Sequence, residues 1–243
     1  MRDDLKQVAA SVHGLIVDID NTLINTQRRD YHSFLDTATE MGHGFLDFAV
    51  FREMRLSGAS SRMIAQVAFP EMMTGTEGER FLRIRHRRLD RPELMRLDEP
   101  FPGVLQALET VRTLGIPVVA ATLRSSSAHT SRELERLGLR RGIRSVIARD
   151  NVRRMADRPY RVDYDSLVYF KKLLLQASVS ELKLAPSQVL FVTDTAFDLD
   201  AARLLGIARV GVRTGYAHDD QLLSLSDVVL DSFADVPGLL AGD

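Results

Sequence analysis

The chain contains no cysteine. Disulfides, thiolate metal sites and cysteine nucleophiles are excluded together, so any metal must sit on oxygen or on histidine. The absence also fits a reducing compartment. Long apolar runs are missing as well: none approaches the ~20 residues that span a bilayer. The opening MRDDLKQVAASVHG has neither the apolar stretch nor the small-residue cleavage site of a secretory signal. A cytoplasmic protein without membrane association is expected. Nor is there an excess of charge of one sign, since 32 Lys and Arg face 33 Asp and Glu. That balance gives no general attraction to nucleic acid, and no such partner is expected. His13, His32, His43, His86, His129 and His218 are scattered without metal-ligand spacing. A site for a metal, if present, is therefore to be sought among carboxylates.

What is present is the alternation of short Val- and Ile-rich runs with helical patterns that marks βαβ units around a parallel sheet. The strand candidates are LIVDI (15–19), IPVVAAT (116–122), RSVIA (144–148), VLFVT (189–193) and ARVGVR (208–213), with DVVLD (227–231) as an edge strand. Almost a hundred residues separate the first two, too many for one crossover helix. The segments YHSFLDTATEMG, FLDFAVFREMRL, SSRMIAQVAF and EGERFLRIRHRRL within that interval read as helices. The expected architecture is α/β: a Rossmann-like doubly wound parallel sheet core formed by residues 1–24 and 96–243, with an inserted α-helical domain over 25–95. Core helices are expected near 103–114, 128–138, 197–205 and 233–241.

Two apolar strands end in acids. The run Leu15-Ile16-Val17-Asp18-Ile19-Asp20 places two carboxylates where α/β sheets bind ligands, at a strand's carboxyl end. Alone, they could be solvated turn acids. VLFVTDTAFDLDAARLLG repeats the pattern, with Asp194 ending a strand and Asp198 opening a helix. Asp198 and Asp200 also suit the first turn of a helix, where the dipole favours acids. Asp194 has no such explanation. Strand-end acids from distant parts of a chain can converge on one hard cation, and an oxygen-only site that retains waters suits Mg2+. Between them, IPVVAATLRSSS delivers Thr122 and a polar turn opening a helix near Ser127. A hydroxyl beside backbone N–H groups there makes a phosphate cradle, or one of the serines simply caps the helix.

Here the chain resembles the haloacid dehalogenase-like hydrolases. VDIDNTLINT is similar to their first motif, Asp-x-Asp-x-Thr-Leu, AATLRSS to the second and VTDTAFDLDAARLLGI to the fourth. The resemblance covers roughly residues 12–24 and 98–218, and it implies a phosphatase-type member whose helical insertion is a small cap. It makes Asp18 the nucleophile, Asp20 the general acid/base and Thr122 a ligand of the transferring phosphoryl group. Mg2+ would be held by Asp18, Asp194 and the backbone carbonyl of Asp20, with Asp198 in support. The implied activity is Mg-dependent hydrolysis of a small-molecule phosphate monoester through an aspartyl-phosphate. Dehalogenase members generally do without the second acid, so Asp20 favours phosphoryl chemistry. A phosphomutase or phosphotransferase shares all these residues, and a non-catalytic binding module is a third reading. Substrate and oligomeric state are left open.

The chain departs from the family pattern at two points. Thr193 stands where a glycine usually precedes the fourth-motif acid, and the Lys-Pro pair of the third motif is absent. The candidates for the missing lysine are Lys171 and Lys172, ahead of Arg158 and Arg161. If Leu167, Phe170, Leu174 and Ala177 form the buried stripe of a helix, Lys171 borders it and Lys172 points away, so Lys171 is the expected catalytic lysine. The insertion is expected over the carboxyl edge of the sheet. Arg83, Arg87 and Arg88 in its basic run are either recognition residues for an anion or a solvated helix face. The glycine-containing RTGYAHDD reads as a loop beside the site.

Overall fold

The computed structural model of the protein describes residues 11–241. Most of the opening segment read above for export signals, MRDDLKQVAA, lies outside the described residues. Two compact units emerge: residues up to Ile24 together with those from Pro100 onward, and Asn25–Glu99.

The first unit is built on strands β1 (Gly14–Val17), β4 (Val118–Ala121), β5 (Ser145–Ile147), β6 (Val189–Thr193), β7 (Ala208–Val212) and β8 (Val228–Leu230). Two-residue strands β2 (Ile24–Asn25) and β3 (Glu99–Pro100) make up a separate ladder. The six-stranded sheet has the order β5-β4-β1-β6-β7-β8, and every neighbouring pair is parallel. The chain winds outward from β1 to β4 and β5, then crosses to the other side for β6, β7 and β8. Such a reversal leaves a crevice at the carboxyl ends of the central strands, the place where open α/β sheets bind ligands.

Successive side chains of a strand point to opposite faces, and that period divides the core in two. Leu15, Val17, Val118, Ala120, Leu190 and Val192 join a layer with Val104, Leu108, Val111 and Val236. Ile16, Val119, Ala121, Val189 and Phe191 join the opposite layer with Phe170, Leu174 and Ala202. Helices Val104–Thr113 and Val236–Ala241 therefore cover one face, and Tyr164–Leu182 and Ala196–Arg203 the other. Strands covered on both faces read as continuous apolar runs, as GLIV and VLFVT do.

The second unit is helical, with Gln27–Glu40, Phe48–Leu56, Ser61–Ala68, Gly75–Arg88 and a single turn at Pro92–Met95. Its centre is Phe34, whose ring lies 5.1 Å from Phe81, 5.4 Å from Phe51 and 6.0 Å from Phe69. Asp47 caps its helix by accepting from the backbone N–H groups of Ala49 and Val50, and Ser60 caps the next by accepting from Met63. The return to the first unit falls at Pro100 rather than at residue 96, because Asp98 is buried in an ion pair with Arg29 at 3.2 Å. The basic run is not one solvated face: Arg83 and Arg87 are exposed, Arg88 meets Glu40, and Arg85 is buried on Asp30. Among the described residues no helix is long and apolar enough to cross a membrane.

Candidate active site

β1 is a central strand, and its last ladder bond is made by Asp18 itself, whose N–H donates to Val192 O at 2.9 Å. The chain then turns sharply. Leu23 and Ile24 both donate backbone N–H groups to Ile19 O, and Asn21 adopts φ 59°, a left-handed conformation that asparagine tolerates better than most residues. This turn delivers the Thr22 hydroxyl to Asp194 Oδ1 at 3.0 Å, tying the end of β1 to the end of β6. The loop after β7 closes the same corner: Thr214 Oγ1 donates to Asn21 O at 2.6 Å. A Cβ on Gly215 would overlap the Asp194 carboxylate, so this position requires glycine for close approach.

Lys171 is 1% exposed. Its ammonium has three hydrogens to donate, and each has an acceptor: Asp18 Oδ1 at 2.6 Å, Asp198 Oδ2 at 2.8 Å and Ala121 O at 3.1 Å. Asp163 starts the helix that carries it, accepting from Ser166 N at 2.9 Å. Lys171 lies within the buried face, alongside Phe170, Leu174, Leu175 and Ser178, whereas Leu167 and Ala177 are half-buried. The expected stripe was thus displaced, because the buried acids bring a lysine into a face that apolar periodicity assigns to leucine and alanine. Lys172 lines a surface groove with Tyr164 and Asp200. Arg158 stacks on Tyr169 and Arg161 is exposed, so neither reaches the acids through these contacts.

Asp198 is held from a second side by Thr193 Oγ1 at 2.7 Å. The residue that departs from the family's glycine therefore serves as a hydrogen-bond donor to the acid that anchors Lys171. Asp198 is the first-turn acid of helix Ala196–Arg203. Asp200 lies further along it, accepting from Tyr164 OH at 2.5 Å and from Arg203 at 2.8 Å.

Burial dominates the electrostatics. It pushes Asp18 up to about 7, with Lys171 opposing and Asp198 and Asp20 adding to the rise. Burial, then the nearby Asp18 and Asp198, holds Asp194 well above the usual carboxylate range. Burial works against the Lys171 ammonium, but Asp18 and Asp198 outweigh it and hold the group above its ordinary value. Removing charges from water is costly unless partners compensate. Lys171 is the cation recorded on Asp18 and Asp198, and Asp194 is stabilised by the Thr22 hydroxyl.

Thr122 is buried at the end of β4, donating its N–H to Ile147 O at 3.0 Å and accepting from Arg124 N at 3.2 Å on Oγ1. Ser126 caps the following helix by accepting from His129 N. Arg124 itself was not singled out in the sequence. It donates from Nε and Nη2 to the two oxygens of Asp20, at 3.0 and 2.7 Å, and from Nη1 to buried Glu133. A charged residue two places after a strand-end threonine was the available signal. Asp18, Asp198 and Lys171 are thus joined directly, Asp194 is joined through Thr22, and Asp20 stands in a separate pair with Arg124.

A model of haloacid dehalogenase-like hydrolases matches residues 15–212. A phosphoglycolate phosphatase of Salmonella paratyphi A is 31% identical over 137 residues, 56% of this chain and 49% of that protein. The corresponding Escherichia coli K12 enzyme is 29% identical over the same coverage. The chain spans about half the length of these curated relatives. Among solved structures, a haloacid dehalogenase-like family hydrolase from Streptococcus pneumoniae superposes with a TM-score of 0.71 at 17% identity, covering 94% of this chain and 98% of that one. With the matched segment running from β1 through β7 and containing every acid of the site, the chain belongs to the haloacid dehalogenase-like hydrolases.

Proposed function

We propose that the protein hydrolyses a small phosphate monoester, with Asp18 as the nucleophile and Mg2+ as the cofactor. The observation that carries this reading is the placement of the Lys171 ammonium on both Asp18 and Asp198, beside a second buried strand-end acid, Asp194. A structural ion pair needs only one carboxylate per lysine. Here a surplus of buried negative charge is gathered at the carboxyl ends of β1 and β6, and a cation there is the economical explanation.

The donor set fits a hard cation. It consists of oxygens alone, and both Asp18 and Asp194 carry protonation-favouring shifts that a positive ion would reverse. Among the described residues, no three His, Cys, Asp or Glu side chains are grouped to hold a metal ion by themselves. Asp18, Asp194 and the Asp20 carbonyl would therefore share Mg2+ with water and substrate oxygens, as this ion commonly does. When bound, Mg2+ supplies charge neutralisation between the carboxylate nucleophile and the phosphate dianion.

The chain's own residues then divide the work. Lys171 fixes the Asp18 carboxylate and leaves its other oxygen for attack on phosphorus, forming an aspartyl-phosphate as the ester oxygen departs. Asp20, which accepts from Arg124 on both oxygens here, would exchange part of that pairing for the ester oxygen, donate a proton to it, and afterwards take one from the water that cleaves the aspartyl-phosphate. Thr122 offers its hydroxyl to the transferring phosphoryl group. The 25–99 unit is proposed as the cap that selects the leaving group.

The relatives' names make 2-phosphoglycolate the first ester to assay. Hydrolysis dependent on Mg2+, abolished by Asp18→Asn in a protein that still unfolds cooperatively, is the expected result. Undiminished turnover by folded, deamidation-free Asp18→Asn would falsify the nucleophile. Delivery of labelled phosphate to an added alcohol in place of water would make the protein a phosphotransferase.

A further inference from the structure

The proposed chemistry leaves unused a cavity of about 440 Å³ in the same unit, lined by Ser125, Arg149, Arg153, Arg158, Tyr160 and Phe170 among others. Ser125 follows the carboxyl end of β4 and Arg149 that of β5. The cavity thus lies at the sheet edge that carries Asp18, displaced toward β5, and its wall is joined to the site by a bond from Arg149 N to Arg124 O at 3.1 Å.

Its charge is unbalanced. Elsewhere in the molecule buried arginines face carboxylates, as Arg29 does Asp98 and Arg124 does Asp20. Of the cavity's three arginines Arg149 is half-buried while Arg153 and Arg158 are exposed, Arg158 stacking on Tyr169, and none of the three guanidinium groups is engaged by a carboxylate among the described residues. The acid on the wall, Asp150, has turned both oxygens to Ser127 N, at 3.1 and 3.0 Å. Arg149 is held 3.9 Å over the Tyr160 ring, which fixes its plane, and its Nε is buried without a hydrogen-bond partner. A buried donor left unmade is unfavourable and calls for an acceptor. Ala156, Pro159, Tyr160 and Phe170 supply the apolar remainder of the wall.

We infer that this cavity binds a second anionic group, a carboxylate or phosphate carried on an apolar body, beside the catalytic centre. Carboxylate and phosphate oxygens both match the arginine fork through paired hydrogen bonds, and the aromatic wall takes the apolar part. Two sources share this chemistry: the substrate's own second anionic group, which rests on the proposed hydrolase reading, and a separate ligand, which does not.

Phthalate is a suitable probe, because it carries carboxylates on a ring and, without a divalent ion, the acid-rich centre repels it. Titrated into the full chain in EDTA and followed by calorimetry, it is expected to bind saturably. Arg153→Glu should weaken binding at least tenfold, as should Arg149→Ala where melting shows that it folds. Arg83→Glu, a reversal at an exposed arginine of the helical unit, should leave binding unchanged. Absence of binding, or equal weakening by Arg83→Glu, means that the arginines are only solvated surface charge and overturns the inference. With Mg2+, a lower KM for 2-carboxyphenyl phosphate than for phenyl phosphate, lost in Arg153→Glu, assigns the site to the substrate. A change in phenyl phosphate turnover on adding phthalate, without that preference, assigns it to a separate ligand. A protein that binds phthalate through Arg149 and Arg153 yet hydrolyses no ester keeps this site and removes the hydrolase reading alone.

Discussion

Arg124 grips Asp20 through both carboxylate oxygens, and its third nitrogen is occupied by Glu133. Glu133 is buried, so its charge depends on this one guanidinium and a 3.8 Å contact with Arg136. Replacing Arg124 by methionine strands a buried carboxylate, and loss of one partner from such a pair costs about 3–5 kcal/mol. Chemical denaturation should show this loss. The double replacement Arg124→Met with Glu133→Met should recover most of it, and equal stability of the single and double variants would count against the pair.

Lys171 and Lys172 are neighbours in sequence with opposite surroundings. Lys171→Ala removes the cation shared by Asp18 and Asp198. Loss of one preorganised electrostatic contact commonly lowers kcat by ~10²–10³, and that is the expected effect. Lys172→Ala should stay within a few-fold of the parent. Steady-state kinetics of both variants decide the matter, and a large loss of kcat confined to Lys172→Ala reverses the assignment.

Metal binding should depend on pH in a definite direction. Asp18 is raised to about 7 and Asp194 well above its ordinary value of 3.8. A carboxylate raised on folding contributes stability that is complete below the unfolded value and is lost as pH rises through the folded one. The metal-free protein should therefore lose stability between about pH 4 and pH 7 and above. Mg2+ binds the deprotonated acids and releases protons, so its stabilising effect should grow over the same range. Thermal melts with Mg2+ and with EDTA at pH 6 and pH 8 test this, and an equal Mg2+-induced shift at both values contradicts it.

In the helical unit the sign is opposite. Burial alone would raise Asp30, but Arg55 at 2.9 Å and the adjacent Arg85 outweigh it and hold the carboxyl below 3.8. Stability from this cluster is present above the unfolded value and is lost as pH falls through the lower folded one. Asp30→Asn should therefore be less stable than the parent at neutral pH and should converge with it in strong acid. Tryptic cleavage at Arg55 and Arg85, faster in Asp30→Asn at neutral pH, localises the effect.

The sheet was legible because strands buried on both faces leave long apolar runs, and VLFVT matches β6 residue for residue. Acids ending such runs were legible for the same reason. Less accessible was anything decided by contacts across the fold. Lys171 looks like a surface charge until Asp18 and Asp198 are placed around it, and the Asp20–Arg124 pair joins residues 104 positions apart. Helix Asp219–Leu225 was hidden behind RTGYAHDD, where the glycine and the acids read as loop, although acids in a first turn are also a helix signal. RTGYAHDD was otherwise placed beside the site, where Gly215 meets Asp194.

The order of the sheet also dictates when the protein can become itself during synthesis. β1 is made before both its neighbours, which lie beyond the inserted helices, and 153 residues separate Asp18 from Lys171. At translation rates of ~5–20 residues per second, the roughly 100 residues between β1 and β4 leave β1 without a strand partner for about 5–20 seconds, and its lysine follows later still. The helical unit, whose residues are contiguous, can complete its own core within that interval. The strand that ends in Asp18 is thus made well before the strands and the lysine that shelter it.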